Sequence, residues 1–393
     1  MAKLWDKGIQ FDKKIESFTV GNDNHLDSIL IPYDCKASIA HAKMLAKMGY
    51  INKNELVNIS KILNEIIALH KKGKFVIKAS QEDCHTAIEE YLVNEIGDAG
   101  KKIHTARSRN DQALTALRLY YKEELLIVKS LMEKWIDSMT NFGQKNKNVK
   151  LPGYTHMQKA MPSSIQMWSE GHRDSMMDDF KIHELISKLI DQSPMGSAAG
   201  YGLPISIDKN MISEDLGFFK VQENPIHCQL SRGKYEISLI NMLSQILLTI
   251  NRVATDMIQF SMEELSYFSL PKELCSGSSI MPQKNNPDVL EILRASYHII
   301  SGLESQVKTL TSNLMSGYNR DVQLSKEPVI KSFKIAKECL NISSLVIDKI
   351  VVNADKCKEA LTDDLFSTEK VYELVKKGIP FREAYQLIAL KNK

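Results

Sequence analysis

DQALTALRLYYKEELLIVKSLMEKWIDSMTNFGQKN, residues 111–146, is the stretch that decides the fold. It contains no proline, and its only glycine, Gly143, comes near the end. Apolar residues recur at every third or fourth position, namely Leu114, Leu117, Tyr121, Leu125, Val128, Met132, Trp135 and Met139. This is the period of an amphipathic α-helix, and about thirty residues at 1.5 Å each extend roughly 45 Å. A helix of that length predicts a long-helix bundle.

Four further segments repeat this pattern: residues 163–192, 234–266, 287–314 and 325–349. Shorter helical patterns at 35–48 and 53–71 precede the long ones, and the β signal is weak throughout. We therefore predict an all-α fold with a mostly helical N-terminal domain at 1–106 and a central bundle of five long helices at 107–350. A short C-terminal helical domain at 351–393 follows, either complete or truncated.

Two details bear on the C-terminal block and on assembly. Ser367, with Lys370 three residues later, suggests a helix N-cap, and the Gly378–Pro380 tripeptide suggests a helix stop. The long helices carry more than one apolar face, including Trp135 and Trp168, which is hard to bury in a monomer. We expect an oligomer, although such stripes also suit the core of a single chain.

The composition excludes several classes of protein. The 51 basic and 48 acidic residues give a net charge of only +3, so no nucleic-acid partner is expected. Six cysteines lack any CxxC spacing and no signal peptide precedes them, which favours a reducing cytoplasm. No apolar run reaches the roughly 18 residues of a membrane span, so no membrane partner is expected. No P-loop, GxGxxG or zinc spacing indicates a nucleotide or a metal.

The polar run GSSIMPQKNNPDVLE, Gly277–Glu291, carries a potential base, a cation and an acid in a sequence that favours neither helix nor strand. Four other polar motifs accompany it. They are EDCHTAIE at 82–89, KKIHTARSRNDQ at 101–112, LPGYTHMQKAMP at 151–162 and GYNRDVQLSKE at 317–327.

In this order the motifs resemble the fumarase/aspartase superfamily, whose signature loop is GSSxMPxKxN, and within it the argininosuccinate lyase branch that includes delta crystallins. VGND at 20–23 and KKGIPFREAY at 376–385 extend the resemblance over nearly the whole chain. It implies a three-domain fumarase/aspartase-like fold and a homotetramer with sites shared between subunits. The implied reaction is β-elimination of argininosuccinate to arginine and fumarate in arginine biosynthesis, with no metal or organic cofactor.

The resemblance also implies catalytic roles. Ser278 matches the base, and Lys284 matches the cation that stabilises the aci-carboxylate. His156, beside Thr155, matches the acid, and Glu291 matches the carboxylate that charges it. A free serine hydroxyl is too weak an acid for this role, so backbone amides, Lys284 or a helix N-terminus must stabilise its alkoxide. Outside this motif, Ser278 is more simply a turn serine and His156 a structural histidine.

Other matching residues are expected to contact substrate. They are Thr19, Asp23, Asp83, His85, Ser108, Arg109, Asn110, Gln158, Asn286, Tyr318, Gln323 and Lys326. The segment 108–110 would bind carboxylates at the start of the first long helix, and the segment 318–326 would hold the argininosuccinate backbone. Capping or surface roles suit Asp23 and Asp83 about equally well. A salt-bridged helix start would equally explain 107–111.

Three departures from the family pattern stand out. Asn285 replaces a second lysine, and Ala106 replaces a glycine. In Asn224–Glu236, Arg232 is followed by Gly233 where many relatives carry an Arg-Asp run, so we assign no site there.

Two alternative functions remain at this stage. Another superfamily lyase, such as an adenylosuccinate lyase, would share the base and the lysine, but RSRNDQ and MPQKxNPD argue against it. A crystallin-like structural protein would not need Ser278, Lys284 and His156, all of which are present.

Overall fold

The computed structural model describes residues 12–78 and 80–391. The helices are α1 (Lys13–Val20), α2 (Asp23–Leu26), α3 (Ile31–Lys47), α4 (Lys53–Lys71), α5 (Cys84–Ile96), α6 (Asp98–Lys101), α7 (Arg109–Lys145), α8 (Ile165–Ile190), α9 (Lys209–Asp215), α10 (Pro225–Leu230), α11 (Lys234–Phe260), α12 (Asp288–Leu310), α13 (Lys326–Lys349), α14 (Ala354–Glu359), α15 (Ser367–Lys376) and α16 (Phe381–Lys391). Short 3₁₀ turns occupy Asp27–Leu30, Lys102–His104, Lys272–Leu274, Arg320–Ser325 and Asp363–Phe366.

The strands are short and pair locally. They are β1 (Lys150–Thr155), β2 (Gln158–Ser164), β3 (Gln192–Ser193), β4 (Lys220–Val221), β5 (Phe268–Ser269), β6 (Ser276–Gly277), β7 (Asn285–Asn286) and β8 (Val351–Val352). β1 pairs with β2, β5 with β8 and β6 with β7, all antiparallel, while β3 and β4 are parallel.

The five long helices α7, α8, α11, α12 and α13 confirm the helical prediction, with ends within a few residues of those expected except at α11. The period of 3.6 residues identified them because each buries one apolar stripe. Helix α11 ends at Phe260 rather than at 266, because residues 261–265 form turns instead of further helix, and Ser266 then adopts a left-handed φ of 47°.

The chain folds into two compact units that interleave along the sequence. The first comprises Met1–Leu126, Glu184–Ile240 and Leu303–Lys331, and the second comprises Ile127–His183, Asn241–Gly302 and Ser332–Lys393. The division into three domains at 1–106, 107–350 and 351–393 stays a proposal.

Each unit has its own apolar packing. In the first, α3 packs against α4, and Leu30, Ile31, Met44, Leu45, Ile59 and Leu63 are fully buried. In the second, the rings of Phe142, Trp168, Phe260 and Phe268 contact one another at centroid distances of 5.4–6.4 Å. Edge-to-face contacts of this kind add to the energy of area burial.

The antiparallel hairpin of β1 and β2 was not predicted. Its ladder runs from Lys150 opposite Ser164 to Thr155 opposite Gln158, with an irregularity after Gly153. Proline and glycine in the first strand hide the β pattern, because both residues normally mark turns. Ser164 Oγ then accepts a hydrogen bond of 3.1 Å from the Met167 amide, which caps the start of α8.

Two expectations about single residues need correction. Ser367 is not an N-cap: it is the first residue of α15, and its hydroxyl donates to the Asp364 carbonyl at 2.6 Å. Trp135 does not belong to an exposed face, since its side chain is fully buried within the chain. The stop at Gly378 is confirmed, because this residue follows α15 with a φ of 91°.

One segment of the described chain, Pro225–Phe260, is long and apolar enough to cross a membrane by length and composition alone. The expectation concerned uninterrupted apolar runs, and polar residues such as Ser244 and Asn251 interrupt this segment. Its apolar character is that of a core helix, with Leu239, Leu243, Ile246 and Ile250 all buried.

Candidate active site

A cavity of about 210 Å³ in the first unit is lined mainly by charged and polar side chains. Most of the residues expected to bind substrate line it: Asp23, Asp83, His85, Arg109, Asn110, Tyr318, Gln323 and Lys326. They come from the beginnings of α2, α5, α7 and α13, from the 3₁₀ turn before α13 and, for Tyr318, from the loop just before that turn. Because the first amides of a helix lack partners within it, polar capping residues gather at such ends.

Arg109 is held by two carboxylates at the edge of the cavity. Its Nη1 donates to Glu82 at 3.1 Å and to Asp83 at 3.2 Å, and its Nη2 donates to Thr86 Oγ1 at 3.0 Å. Asp83 also caps α5 by accepting from the amide and the hydroxyl of Thr86, both at 2.7 Å. Asp83 therefore does have the capping role, and the start of α7 is salt-bridged. Asp83 and Arg109 also lie in the cavity wall.

The charges around Asp83 keep its carboxylate ionised. Burial alone raises the pKa of Asp83, but the nearby charges of His85 and Arg109 and the bonds from Thr86 outweigh it and lower the pKa. The cavity wall thus presents a fixed negative charge next to a guanidinium.

Lys326 is buried and lies between two carboxylates. Its Nζ is 3.1 Å from Asp23 and also contacts Asp27. Burial lowers the pKa of Lys326, but the charges of Asp27 and Asp23 outweigh it and raise the pKa. For Asp23 the balance is opposite, because burial raises its pKa more than Lys326 lowers it. Lys326 is therefore a charged group fixed in the cavity wall.

His85 is anchored by a buried acid behind the cavity. Its Nδ1 lies 2.9 Å from Asp34 Oδ2, and Gln112 donates to both oxygens of Asp34 at 2.9 and 3.1 Å. Burial alone lowers the pKa of His85, but the charge and hydrogen bond of Asp34 outweigh it and raise the pKa. This arrangement fixes the ring and favours imidazolium.

Thr19 and Ser108 do not line the cavity. The hydroxyl of Thr19 donates to carbonyls of its own helix at 3.0 and 3.1 Å, while its carbonyl accepts from Arg320 at 3.0 Å and Gln323 at 3.2 Å. Ser108 Oγ accepts from the Asn110 amide at 3.3 Å. In this structure both residues position their neighbours.

The sequence interpretation missed two arginines in the cavity wall, Arg232 and Arg320. Arg320 pairs with Glu82 at 3.1 Å. It could have been found, because it lies inside the GYNRDVQLSKE motif beside Tyr318. Arg232 had no such signal, because it lies in the segment whose departure from the family pattern prevented an assignment.

In the second unit, Thr155 and Gln158 close the tight turn of the β1–β2 hairpin, and His156 and Met157 form its tip. Both tip residues have left-handed φ values, 52° and 60°, as a type I′ turn requires. Thr155, His156 and Gln158 are all exposed. The turn therefore holds the histidine in a defined, left-handed backbone conformation at an exposed tip.

Residues 278–284 of the polar run form a loop between β6 and β7, and the run then passes through β7 into the first turn of α12. The prediction that the run favours neither helix nor strand is therefore wrong for its last residues. Ser278 Oγ accepts hydrogen bonds from the amides of Ile280 at 3.3 Å and Met281 at 3.1 Å. These are the backbone donors expected to stabilise an alkoxide. The loop is closed at its base by the β6–β7 pairing, by Asn286 Nδ2 donating to the Gly277 carbonyl at 3.4 Å, and by a contact between Ser276 and Asp288.

Lys284 and Glu291 are both exposed on this part of the unit. Lys284 belongs to the same loop as Ser278, and its amide donates to the Met281 carbonyl at 3.0 Å. Glu291 lies in the first turn of α12. Among residues 12–78 and 80–391, no hydrogen bond joins His156 to Glu291 within one chain, so their pairing stays a prediction.

Known sequences similar to this chain belong to one group. The model of a family described as lyase matches residues 6–302. An argininosuccinate lyase of Thermotoga neapolitana is 49% identical over 389 residues, which cover 99% of this chain and 98% of that protein. An argininosuccinate lyase of Bacteroides fragilis is 38% identical over 392 residues, which cover 99% of this chain and 87% of that protein.

Solved structures share the fold. A class II fumarase from Schistosoma mansoni aligns with a TM-score of 0.80 at 18% identity, over 95% of this chain and 91% of that one. An EDDS lyase in complex with formate aligns with a TM-score of 0.82 at 21% identity, over 97% of this chain and 76% of that one. The predicted all-α, fumarase-like fold is confirmed.

Proposed function

The chain belongs to the lyase family and, within it, to the argininosuccinate lyases, and from this premise we propose how its residues split argininosuccinate into arginine and fumarate. The reaction removes a proton from the carbon next to a carboxylate of the succinyl group, and then breaks the bond to the guanidino nitrogen. It therefore needs a base, a cation for the doubly charged intermediate and an acid for the leaving group.

Ser278 is the base in this proposal. The observation that carries it is the pair of amide bonds to its Oγ, from Ile280 and Met281. A hydrogen bond to a charged group contributes about 1.5–3 kcal/mol, so both donors favour the alkoxide over the neutral hydroxyl. Because the donors are backbone amides of the same short loop, they are in place before substrate binds.

Lys284 supplies the cation. It lies in the same loop as the base, so a substrate that reaches Ser278 also comes close to its ammonium group. The intermediate carries one more negative charge than the substrate, and Lys284 therefore stabilises the transition state more than the ground state. Asn286 borders the loop and would orient the same carboxylate.

His156 donates the proton to the departing nitrogen, with Glu291 as its partner from a neighbouring subunit. The tip of the β1–β2 hairpin is exposed, which suits insertion into the site of another copy. Thr155 and Gln158 flank the histidine and would contact the same substrate.

A homotetramer with sites shared between subunits completes the proposal. Exposed apolar residues along α8 and α12 support it: Met167 is 68% exposed, Leu185 66% and Ile292 67%. Large apolar side chains on a helix face favour burial by a partner. All six cysteines are free thiols, which is consistent with the proposed location in a reducing cytoplasm.

In this proposal the charged cavity of the first unit holds the substrate through Asp83, His85, Arg109, Asn110 and the segment 318–326. The cavity wall has both carboxylates and cationic side chains, which suit argininosuccinate because this substrate carries carboxylates, an amino group and a guanidinium. Fixed charges of both signs orient such a substrate without large conformational change.

The proposed function is tested by measuring the release of fumarate through its ultraviolet absorbance. With argininosuccinate as substrate we expect fumarate and an equal amount of arginine; adenylosuccinate should give none. Fumarate from adenylosuccinate alone would assign the chain to a different lyase of the same superfamily. Absence of fumarate from both substrates would favour a structural role.

A further inference from the structure

Arg232 lies in the wall of the charged cavity, just before the start of α11. Its guanidinium stacks over the ring of Tyr318 at 5.0 Å from the centroid. A cation–π contact of this kind holds the guanidinium over an aromatic face and uses none of its N–H groups. The arginine is therefore oriented by an aromatic ring, and Tyr318 itself lines the same cavity.

The other cationic side chains of the cavity wall are neutralised by acids. Arg109 pairs with Glu82 and Asp83, Arg320 pairs with Glu82, and Lys326 pairs with Asp23 and Asp27. Arg232 forms no ion pair within residues 12–78 and 80–391. Its Nη1 is buried and has no hydrogen-bond partner among them. A buried guanidinium nitrogen without an acceptor is costly, and an acceptor supplied by a ligand would remove that cost.

The neighbour of Arg232 explains why no acid compensates it. Gly233 has a φ of 77°, and a Cβ at this position would lie 2.2 Å from Thr311 Cγ2. An aspartate there would therefore be strained and would clash. Instead, the Gly233 amide donates to Glu236 Oε2 at 2.5 Å, which starts α11. The local backbone requires glycine, so position 233 cannot supply an acid to pair with Arg232.

We propose that Arg232 binds the α-carboxylate at the arginine end of the substrate. This inference rests on the proposed function, and it assigns a role to a residue outside the five polar motifs quoted from the sequence. Arg232 stacks on Tyr318, in the segment that holds the argininosuccinate backbone. A planar guanidinium matches the two oxygens of a carboxylate. The arginine product keeps that carboxylate, whereas agmatine lacks it but is otherwise the same molecule.

The test compares arginine and agmatine binding by calorimetry on the intact protein, for the wild type and for Arg232→Gln. Loss of a charge-assisted hydrogen bond weakens binding by roughly 10- to 100-fold. We expect the wild type to prefer arginine over agmatine by about that factor, and Arg232→Gln to lose the preference while its agmatine affinity stays within about 2-fold.

Lys234→Gln is the matched control. Lys234 lies two residues after Arg232 and its side chain is exposed. The variant therefore removes the same charge outside the cavity wall and should keep the preference for arginine over agmatine. Thermal melting checks that the variants fold; if Arg232→Gln does not, Arg232→Lys retains the charge without the fork and should show an intermediate preference.

Three outcomes would overturn the inference. They are equal weakening of both ligands in Arg232→Gln, an unchanged preference in that variant, or a wild type that does not distinguish arginine from agmatine. Fumarate release from argininosuccinate is measured on the same preparations. A wild type that releases none contradicts the proposed function, whereas a catalytically active wild type with any of these outcomes contradicts the role of Arg232 alone.

Discussion

Replacement of Lys326 by methionine tests the charge arrangement of the cavity. The side chain of Lys326 is 8% exposed, and those of Asp23 and Asp27 are 14% and 2% exposed. Methionine conserves most of the volume, so the main change is the loss of the positive charge between two carboxylates. Removing one partner of a buried ion pair typically costs about 3–5 kcal/mol, because the remaining charge stays buried and uncompensated.

We therefore expect Lys326→Met to lower the apparent free energy of unfolding by about 3–5 kcal/mol at pH 8. The assay is urea unfolding followed by circular dichroism, at fixed protein concentration because assembly contributes to stability. The double variant Lys326→Met with Asp27→Asn should recover a large part of the loss, because it removes the more deeply buried of the two unpaired carboxylates. The deficit should also shrink as the pH falls towards 5, since a protonated carboxyl group costs less to bury.

The sign of the pH dependence in the wild type follows from the raised pKa of Lys326. A raised pKa means that the folded state binds this proton more tightly, so the stabilisation is fully present below the unfolded pKa of about 10.4 and is lost as the pH rises through the folded value. A variant as stable as the wild type at pH 8, with no gain on acidification, would refute the assignment of Lys326 to a buried ion pair.

Three further changes have defined outcomes. Gly233→Ala should reduce stability by roughly 2–5 kcal/mol in urea unfolding, from left-handed strain and the clash with Thr311, and Thr311→Ala should restore only the part due to the clash. His156→Asn should keep the hairpin, since asparagine tolerates left-handed φ, but lower kcat by about 10²–10⁴-fold; unchanged kcat would remove the histidine from the acid role. Asp34→Asn should abolish the stabilisation that is linked to the raised pKa of His85. In the wild type this stabilisation is present below about pH 6.5 and is lost as the pH rises through the pKa of His85 in the folded state. Parallel pH–stability curves for the variant and the wild type would contradict this.

The long helices could be predicted because an apolar stripe of period 3.6 is a local property of the sequence. Helix α7 illustrates this, since most of the residues that marked its stripe are fully buried. The β1–β2 hairpin could not be predicted in the same way. Its pairing passes through Pro152 opposite Pro162 and through Gly153, and the propensity of proline and glycine opposes a strand. Pairing with a neighbouring strand outweighed that propensity.

For the site, resemblance identified the residues that share motifs, and the structure supplied their physical environment. The amide bonds to Ser278 are local, and a loop of this composition made backbone donors a reasonable expectation. Pairs such as Lys326 with Asp23 join residues about three hundred positions apart, which no spacing along the chain indicates. Arg232 was missed because its segment departs from the family pattern, and its contact with Tyr318 appears only in the folded chain.

The most direct test of the central claim is the rate of fumarate release from argininosuccinate by Ser278→Ala, with Ser279→Ala as the matched control. Both variants remove one hydroxyl from the same loop, but only Ser278 accepts the amide bonds from Ile280 and Met281. We predict that Ser278→Ala lowers kcat by about 10²–10⁴-fold, while Ser279→Ala stays within about tenfold of the wild type. Turnover by Ser278→Ala at a rate near that of the wild type would contradict the claim that Ser278 is the base.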